Sequence, residues 1–160
     1  MTEASRSHPF RHRQSGLAMV EFAISVPVLL LLMFGSFEFG HFLIEYSTLN
    51  DAVRNASRYV AGKALADTSG DLVTGAAWST LVTQGTNLAV FGNIAGTGSP
   101  VLPALAGGVI TVSEDTANHN VSVAAAYPYQ PLFGAAIPTF MGGSISTTLT
   151  MNLSVTMKAL

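Results

Sequence analysis

From Leu17 to Ile44 the chain is apolar at nearly every one of 28 positions, with Glu21, Glu38 and His41 as the ionisable exceptions. The strictly uncharged part is Phe22 to Phe37. A helix needs about 20 residues to cross the hydrocarbon of a bilayer, so the run predicts a membrane-crossing helix rather than a soluble core segment. Pro27 lies inside it and removes one backbone donor, while Gly35 and Gly40 lower helix stability further along. These three residues are expected to soften the helix.

The pattern then changes without breaking. Leu49, Ala52, Val53, Ala56, Tyr59 and Val60 follow the i, i+3, i+4, i+7 spacing of one helix face. Asp51, Arg54, Asn55 and Arg58 take the other face, with Asp51 and Arg54 close enough to pair. Gly62 is a natural terminator. The prediction is one helix from about Leu17 to Ala61, apolar all round in its first part and amphipathic in its second.

After Lys63 the composition shifts to Thr, Ser, Gly, Ala and Asn. Asp67 to Gly70 reads as a turn, with Thr68 as a variant N-cap before a helix over Leu72 to Leu88. Its expected apolar face is Leu72, Ala76, Ala77, Leu81 and Leu88. The glycines and prolines of Gly92 to Gly108 predict a loop. Val109 to Ser113 and Val121 to Tyr127 read as a hairpin around the polar Glu114–Asn120 turn. Pro128 to Pro138 is a connection that no central strand could contain. From Ile145 to Met157 apolar and polar residues alternate, which predicts one long half-buried strand. The fold class is therefore α+β. A long N-terminal helix over 17–62 is followed by a small head over 63–160, with one helix and an antiparallel sheet of about three strands.

Composition narrows the chemistry. Charged residues make up 10% of the chain and hydrophobic ones 49%, with a net charge of -2 and no cysteine. A soluble domain usually carries about 25% charged residues. The charge balance gives no basis for nucleic-acid binding. The missing cysteine removes disulfides, thiol catalysis and thiolate metal sites. The few cations that exist are clustered, with Arg6, Arg11 and Arg13 preceding the apolar run. A basic flank before an apolar segment keeps that flank in the cytoplasm, so Arg11 and Arg13 act as a topology signal. A cleaved secretory signal peptide would share this flank. It would also need a small-x-small site after the run, where Phe34 occupies the outer position of Phe34-Gly35-Ser36.

No serine–histidine–acid set, phosphate loop or dinucleotide fingerprint is present. Glu38, His41 and Glu45 share one helix face, and Glu-x-x-His is a carboxylate-bridged metal pattern when two copies face each other. One copy lacks the ligand set, so these groups read instead as the outer boundary of the span, and no metal is assigned. Glu21 is the harder residue, because a lone carboxylate near hydrocarbon costs several kcal/mol unless it is paired or snorkels. Gly16 suggests a partner. A cut after Gly16 would give Leu17 a free α-amine four residues from Glu21.

Gly16, Glu21 and Phe22, between a basic flank and an apolar helix, resemble the processing site of type IV pilin-like proteins. The short form Gly16-Leu-Ala-Met-Val-Glu21-Phe22 resembles the tight-adherence (Flp/Tad) branch, and within it a TadE-like minor pseudopilin. Asp51-Ala-Val-Arg54-Asn-Ala-Ser-Arg58-Tyr59 is similar to the segment that follows the membrane helix in TadE-like proteins. In the head only Asn87 to Gly92 and the final strand are similar.

The resemblance implies cleavage of the leader, residues 1–16, by a prepilin peptidase between Gly16 and Leu17. Glu21 and Phe22 would serve recognition in processing or assembly. The product would be a single-pass subunit of the bacterial inner membrane, N-terminus cytoplasmic and head extracytoplasmic, that supports or enters a pilus for surface adherence. Its partners would be the prepilin peptidase, other pilins and pseudopilins, the inner-membrane assembly platform and membrane lipid. It would be no enzyme and need no cofactor. The competing reading is a signal-anchored extracytoplasmic binding module, in which Gly16 is incidental and no cut occurs; an exported enzyme is a third.

Overall fold

The computed structural model describes residues 13–66, 70–139 and 142–160. Helix α1 runs unbroken over Arg13–Ala61, 49 residues, or roughly 74 Å at 1.5 Å per residue. It is followed by α2 (Gly75–Phe91) and by strands β1 (Val109–Asp115), β2 (Asn120–Pro128), β3 (Ala136–Thr139), β4 (Gly143–Ser146) and β5 (Thr150–Lys158). The expected α+β class is borne out: β1, β2 and β5 form an antiparallel sheet in the order β1-β2-β5, while β3 and β4 make a separate two-stranded hairpin.

The second half of α1 is the spine on which the head is built. Leu49, Ala52, Val53, Ala56 and Val60 are all buried, and Asp51, Arg54, Asn55 and Arg58 are exposed. This is the division that the 3.6-residue period dictates. Against this stripe lie the inward residues of β2 (Val121, Val123, Ala125 and Tyr127) and Met151 of β5. Hydrogen bonds add cross-ties. Ser57, fully buried, donates to the Val53 carbonyl at 2.8 Å and also reaches the Val155 carbonyl of β5 at 3.3 Å. Tyr59 donates to Gln84 of α2 at 2.8 Å. The chain ends where the spine ends, with Leu160 N–H donating to the Ala61 carbonyl.

Several sequence expectations need correction. Arg54 donates to Asn50 Oδ1 at 3.1 Å, one turn back on the exposed face, instead of pairing with Asp51. The second helix begins at Gly75 behind Thr74, not near Leu72. Leu72 is instead bridged to Leu65, with Val73 N–H donating to the Ala64 carbonyl. The proposed cap Thr68 lies outside the described residues. The buried face of α2 is accordingly Leu81, Gly85, Ala89 and Val90, with Ala76 and Ala77 exposed. The first hairpin turn is tighter than expected, since Glu114 and Asp115 pair with Val121 and Asn120. Asp115 Oδ1 accepts from the Ala117 and Asn118 amides. The Asn118 hydrogen bonds hold this exposed carboxyl below its usual range. The long C-terminal strand is two strands, β4 and β5, parted by Thr147–Leu149. The connection expected from Pro128 to Pro138 is shorter: Pro128 is the last residue of the central strand β2, paired with Thr150 at the strand end, and Pro138 lies in the two-stranded hairpin, paired with Ser144.

Gly85 fixes the spacing of the two helices. A Cβ there would stand 2.5 Å from Val60 Cγ2, and Val60 is fully buried. Valine is stiff at χ1 and cannot swing aside. Gly85→Ala should gain about 1 kcal/mol of helix propensity and lose about 1–3 kcal/mol to overpacking. A net destabilisation is expected, read as a lower urea midpoint of the detergent-solubilised chain. An unchanged or raised midpoint would mean that α1 and α2 can part without cost.

Candidate functional site

The candidate processing residues lie together on a bare stretch of α1. Gly16 is helical, and nothing stands within 4 Å of where its Cβ would be. Leu17, Met19, Val20, Phe22 and Ile24 are each more than half exposed. Glu21 is exposed and four residues on from Leu17; its backbone carbonyl accepts from Ser25 Oγ at 2.8 Å. Arg13 is the first residue of α1, and Arg11 lies outside the described residues. Pro27, Gly35 and Gly40 are all inside the continuous helix. Pro27 gives the Ala23 carbonyl no N–H to accept, so the ladder is one bond short there. From Gly16 to Ala61 the helix is long and apolar enough to cross a membrane, and the most apolar part of it is not covered by the rest of the chain. A helix apolar all round and uncovered cannot be left facing water.

Where the head meets this helix the packing becomes polar and buried. Glu38 is only 8% exposed, although it lies in an otherwise apolar stretch. Its carboxylate accepts from Tyr129 Oη at 2.6 Å and from the backbone N–H groups of Leu132 and Phe133 at 3.2 and 3.4 Å. Tyr129 Oη also lies 3.2 Å from His41 Nδ1, and His41 Nε2 is 3.7 Å from Glu45 Oε1. The order along the seam is Glu45, His41, Tyr129, Glu38. Ring packing follows the same line: Phe42 meets Tyr129 edge-on with centroids 5.5 Å apart, and Phe34 meets Phe133 at 5.0 Å.

The expected grouping of Glu38, His41 and Glu45 is therefore real. It ties the head to the helix through Tyr129. Among the described residues no cluster of three or more His, Cys, Asp or Glu has a geometry fit to hold a metal ion. Tyr129 and the amides after it serve Glu38, and no local spacing in the sequence points to them. The available signal was an acid in an apolar helix, which demands donors from somewhere.

Tyr127 and Tyr129 behave differently although both are buried. The Tyr127 hydroxyl and Glu45 Oε2 are both buried near one another, but neither completes a hydrogen bond of good geometry. Burial first, and the Glu45 charge second, push the Tyr127 hydroxyl up to about 12. Burial and the bond to Glu38 likewise raise Tyr129. A tyrosine in the unfolded chain ionises near 10. The stability these groups contribute is thus complete below pH ~10 and is lost as the pH rises toward the folded value. Tyr127→Phe should stay within about 1 kcal/mol of the parent at pH 7, because no good hydrogen bond is lost. It should also flatten part of the fall in stability between pH 10 and 12. A steep loss at pH 7 would reveal a partner that the geometry lacks.

No match is found to a curated protein or to a solved structure. The family model of TadE-like protein matches residues 16–58, roughly a quarter of the chain, from the residue before the expected cut into the last turn of the amphipathic stripe. Over residues 16–58, within α1, the chain is similar to TadE-like protein.

Proposed function

We propose that the chain is a minor pseudopilin: a membrane-anchored structural and assembly subunit of a tight-adherence (Tad, Flp-type) pilus, cut by a prepilin peptidase between Gly16 and Leu17. The observation that carries this is the placement of the TadE-like match. It starts at Gly16 and covers the helix, not the head. The likeness thus falls on the part of a pilin that the peptidase, the membrane and neighbouring subunits would handle. The uncovered apolar helix supports the same reading, since it can exchange lipid for other helices. In this reading the part played by the head is structural. Its side of the membrane is the extracytoplasmic one, by the basic flank before α1.

Expression of the full chain with and without the cognate peptidase tests this. The expected result is an intact mass corresponding to a Leu17 N-terminus only when the peptidase is present, together with co-purification of the major pilin from membranes. A mass beginning at Met1 under both conditions, with no pilin recovered, would favour the signal-anchored binding module instead.

A further inference from the structure

The head has a low side, and its place along α1 can be gauged. A span of about 20 residues that begins anywhere from Leu17 to Phe22 ends between Ser36 and His41, and so contains Phe34 and Gly35. Phe133 of the head packs its ring on Phe34. Leu149 and its neighbours Ser146 to Thr148 border a groove whose other wall is Gly35, Glu38 and Phe39. These head segments stand beside the outer end of the span, not above it.

Their composition fits that depth. From Asn120 to Met157 the chain has no Asp, Glu, Lys, Arg or His over 38 residues. Leu132 and Leu149 are each more than half exposed, and Phe133 is exposed as well. Several of their polar groups are also hydrogen-bonded within the chain. The Leu132 and Phe133 amides go to Glu38, Thr147 N–H goes to the Ala135 carbonyl, and Thr147 Oγ1 goes to the Gly134 carbonyl at 2.6 Å. Tyr129 N–H goes to the Leu149 carbonyl, and Pro128 and Pro131 carry no N–H at all. Irregular backbone is tolerated at membrane depth only where its donors and acceptors are satisfied internally.

Resting on the reading of α1 as a membrane span, we infer that the Pro131–Ala135 loop and the Thr147–Leu149 connection form a second lipid contact. They sit in the outer edge of the acyl-chain region beside the helix. The same arrangement explains Glu38. The carboxylate enters the bilayer edge sheathed by the loop that supplies its donors, so it does not face lipid.

Tryptophan quenching by phosphatidylcholine vesicles with brominated acyl chains tests this on the full-length chain. The chain's single tryptophan, Trp78, packs with the cluster around Val60. Val60 is 26 residues beyond Phe34 in the same helix, or roughly 39 Å away, so the parent protein is the distal control. In a Trp78→Phe background, Leu30→Trp reports on the span, and Leu132→Trp and Leu149→Trp report on the patch. Both patch positions are exposed, so neither change disturbs the core, and each checks the other.

Several-fold quenching is expected at Leu30, Leu132 and Leu149, with Trp78 in the parent unaffected. Quenching at Leu30 but at neither patch position overturns the second contact and leaves the span intact. Blue-shifted emission from the patch without quenching assigns it to a protein neighbour, such as a second copy, and also overturns it. No quenching at Leu30 removes the span reading itself.

Discussion

Glu38→Ala is expected to lower the unfolding free energy of the head by about 2–4 kcal/mol, and Tyr129→Phe by about half as much. The alanine change removes the carboxylate that serves Tyr129 Oη and the amides of Leu132 and Phe133; the hydroxyl keeps the Glu38 backbone carbonyl at 3.2 Å, but the two amides lose their acceptor. Hydrogen bonds to a charged group contribute about 1.5–3 kcal/mol, and a buried donor left unmade costs about 1–3 kcal/mol. An opposing effect exists. Removing a buried carboxylate also removes its desolvation penalty, and a well-packed apolar replacement can offset the loss of a buried charge. Alanine, however, is too small to fill the space and offers the two amides no acceptor, so those orphaned donors decide the sign. Tyr129→Phe leaves Glu38 with the two amides and should be milder.

The pair should also be coupled. The double variant is expected to be about 1–2 kcal/mol less destabilised than the sum of the single changes, because either single change already breaks the same Tyr129–Glu38 side-chain hydrogen bond. Denaturation in detergent, followed through Trp78, measures all three. A loss below about 0.5 kcal/mol for Glu38→Ala would mean that the seam is decorative and that apolar packing alone seats the head.

How much of this was legible beforehand differs by element. The stripe Leu49 to Val60 was readable because a helix face needs only a 3.6-residue period, and that period survives in the buried set Leu49, Val53, Ala56 and Val60. Strand β2 was readable for the matching reason at period two, with Val121, Val123, Ala125 and Tyr127 all buried. Helix α2 was misplaced because Leu72 continues an apolar pattern that tertiary pairing with Leu65 overrides. Leu102 and Leu105 join the core from a loop that has no period to read. The break between β4 and β5 was hidden because alternation runs straight through Thr147–Leu149, while Thr147 turns its amide and hydroxyl to the 134–135 backbone. The seam was half legible. Glu38, His41 and Glu45 share a face by spacing alone, but their partners come from about 90 residues away, at Tyr129 and Leu132, and no local pattern announces a contact of that separation.

Glu21→Ala is expected to leave membrane insertion unchanged and to cut pilus assembly by about an order of magnitude or more, provided that the Gly16–Leu17 bond is broken normally. In the uncut helix Glu21 is exposed, and Leu17 precedes it by one helical turn. Residues four apart lie about 5–6 Å apart at Cβ. A cut after Gly16 turns the Leu17 amide into an α-amine that ionises near 7.7–8.0 and is mostly charged at neutral pH. Within one subunit, or between two, that amine and the Glu21 carboxylate would then neutralise each other at the edge of the hydrocarbon. A lone carboxylate there costs several kcal/mol. If pairing recovers about 2 kcal/mol per subunit in the assembled state, losing it shifts the assembly equilibrium about 30-fold. Alanine removes the carboxylate's penalty as well as its attraction, so the monomer should insert at least as readily as the parent. The amine is then left without a partner, and assembly suffers. A bulky residue at position 16, such as Gly16→Phe, should act upstream by blocking the cut itself, leaving the full-length mass and no amine for Glu21 to meet. The two variants are told apart by intact mass: Glu21→Ala gives a Leu17 N-terminus without pili, and Gly16→Phe gives an uncut chain without pili. Normal pili from cleaved Glu21→Ala would sink the pairing and leave Glu21 as a headgroup-level acid.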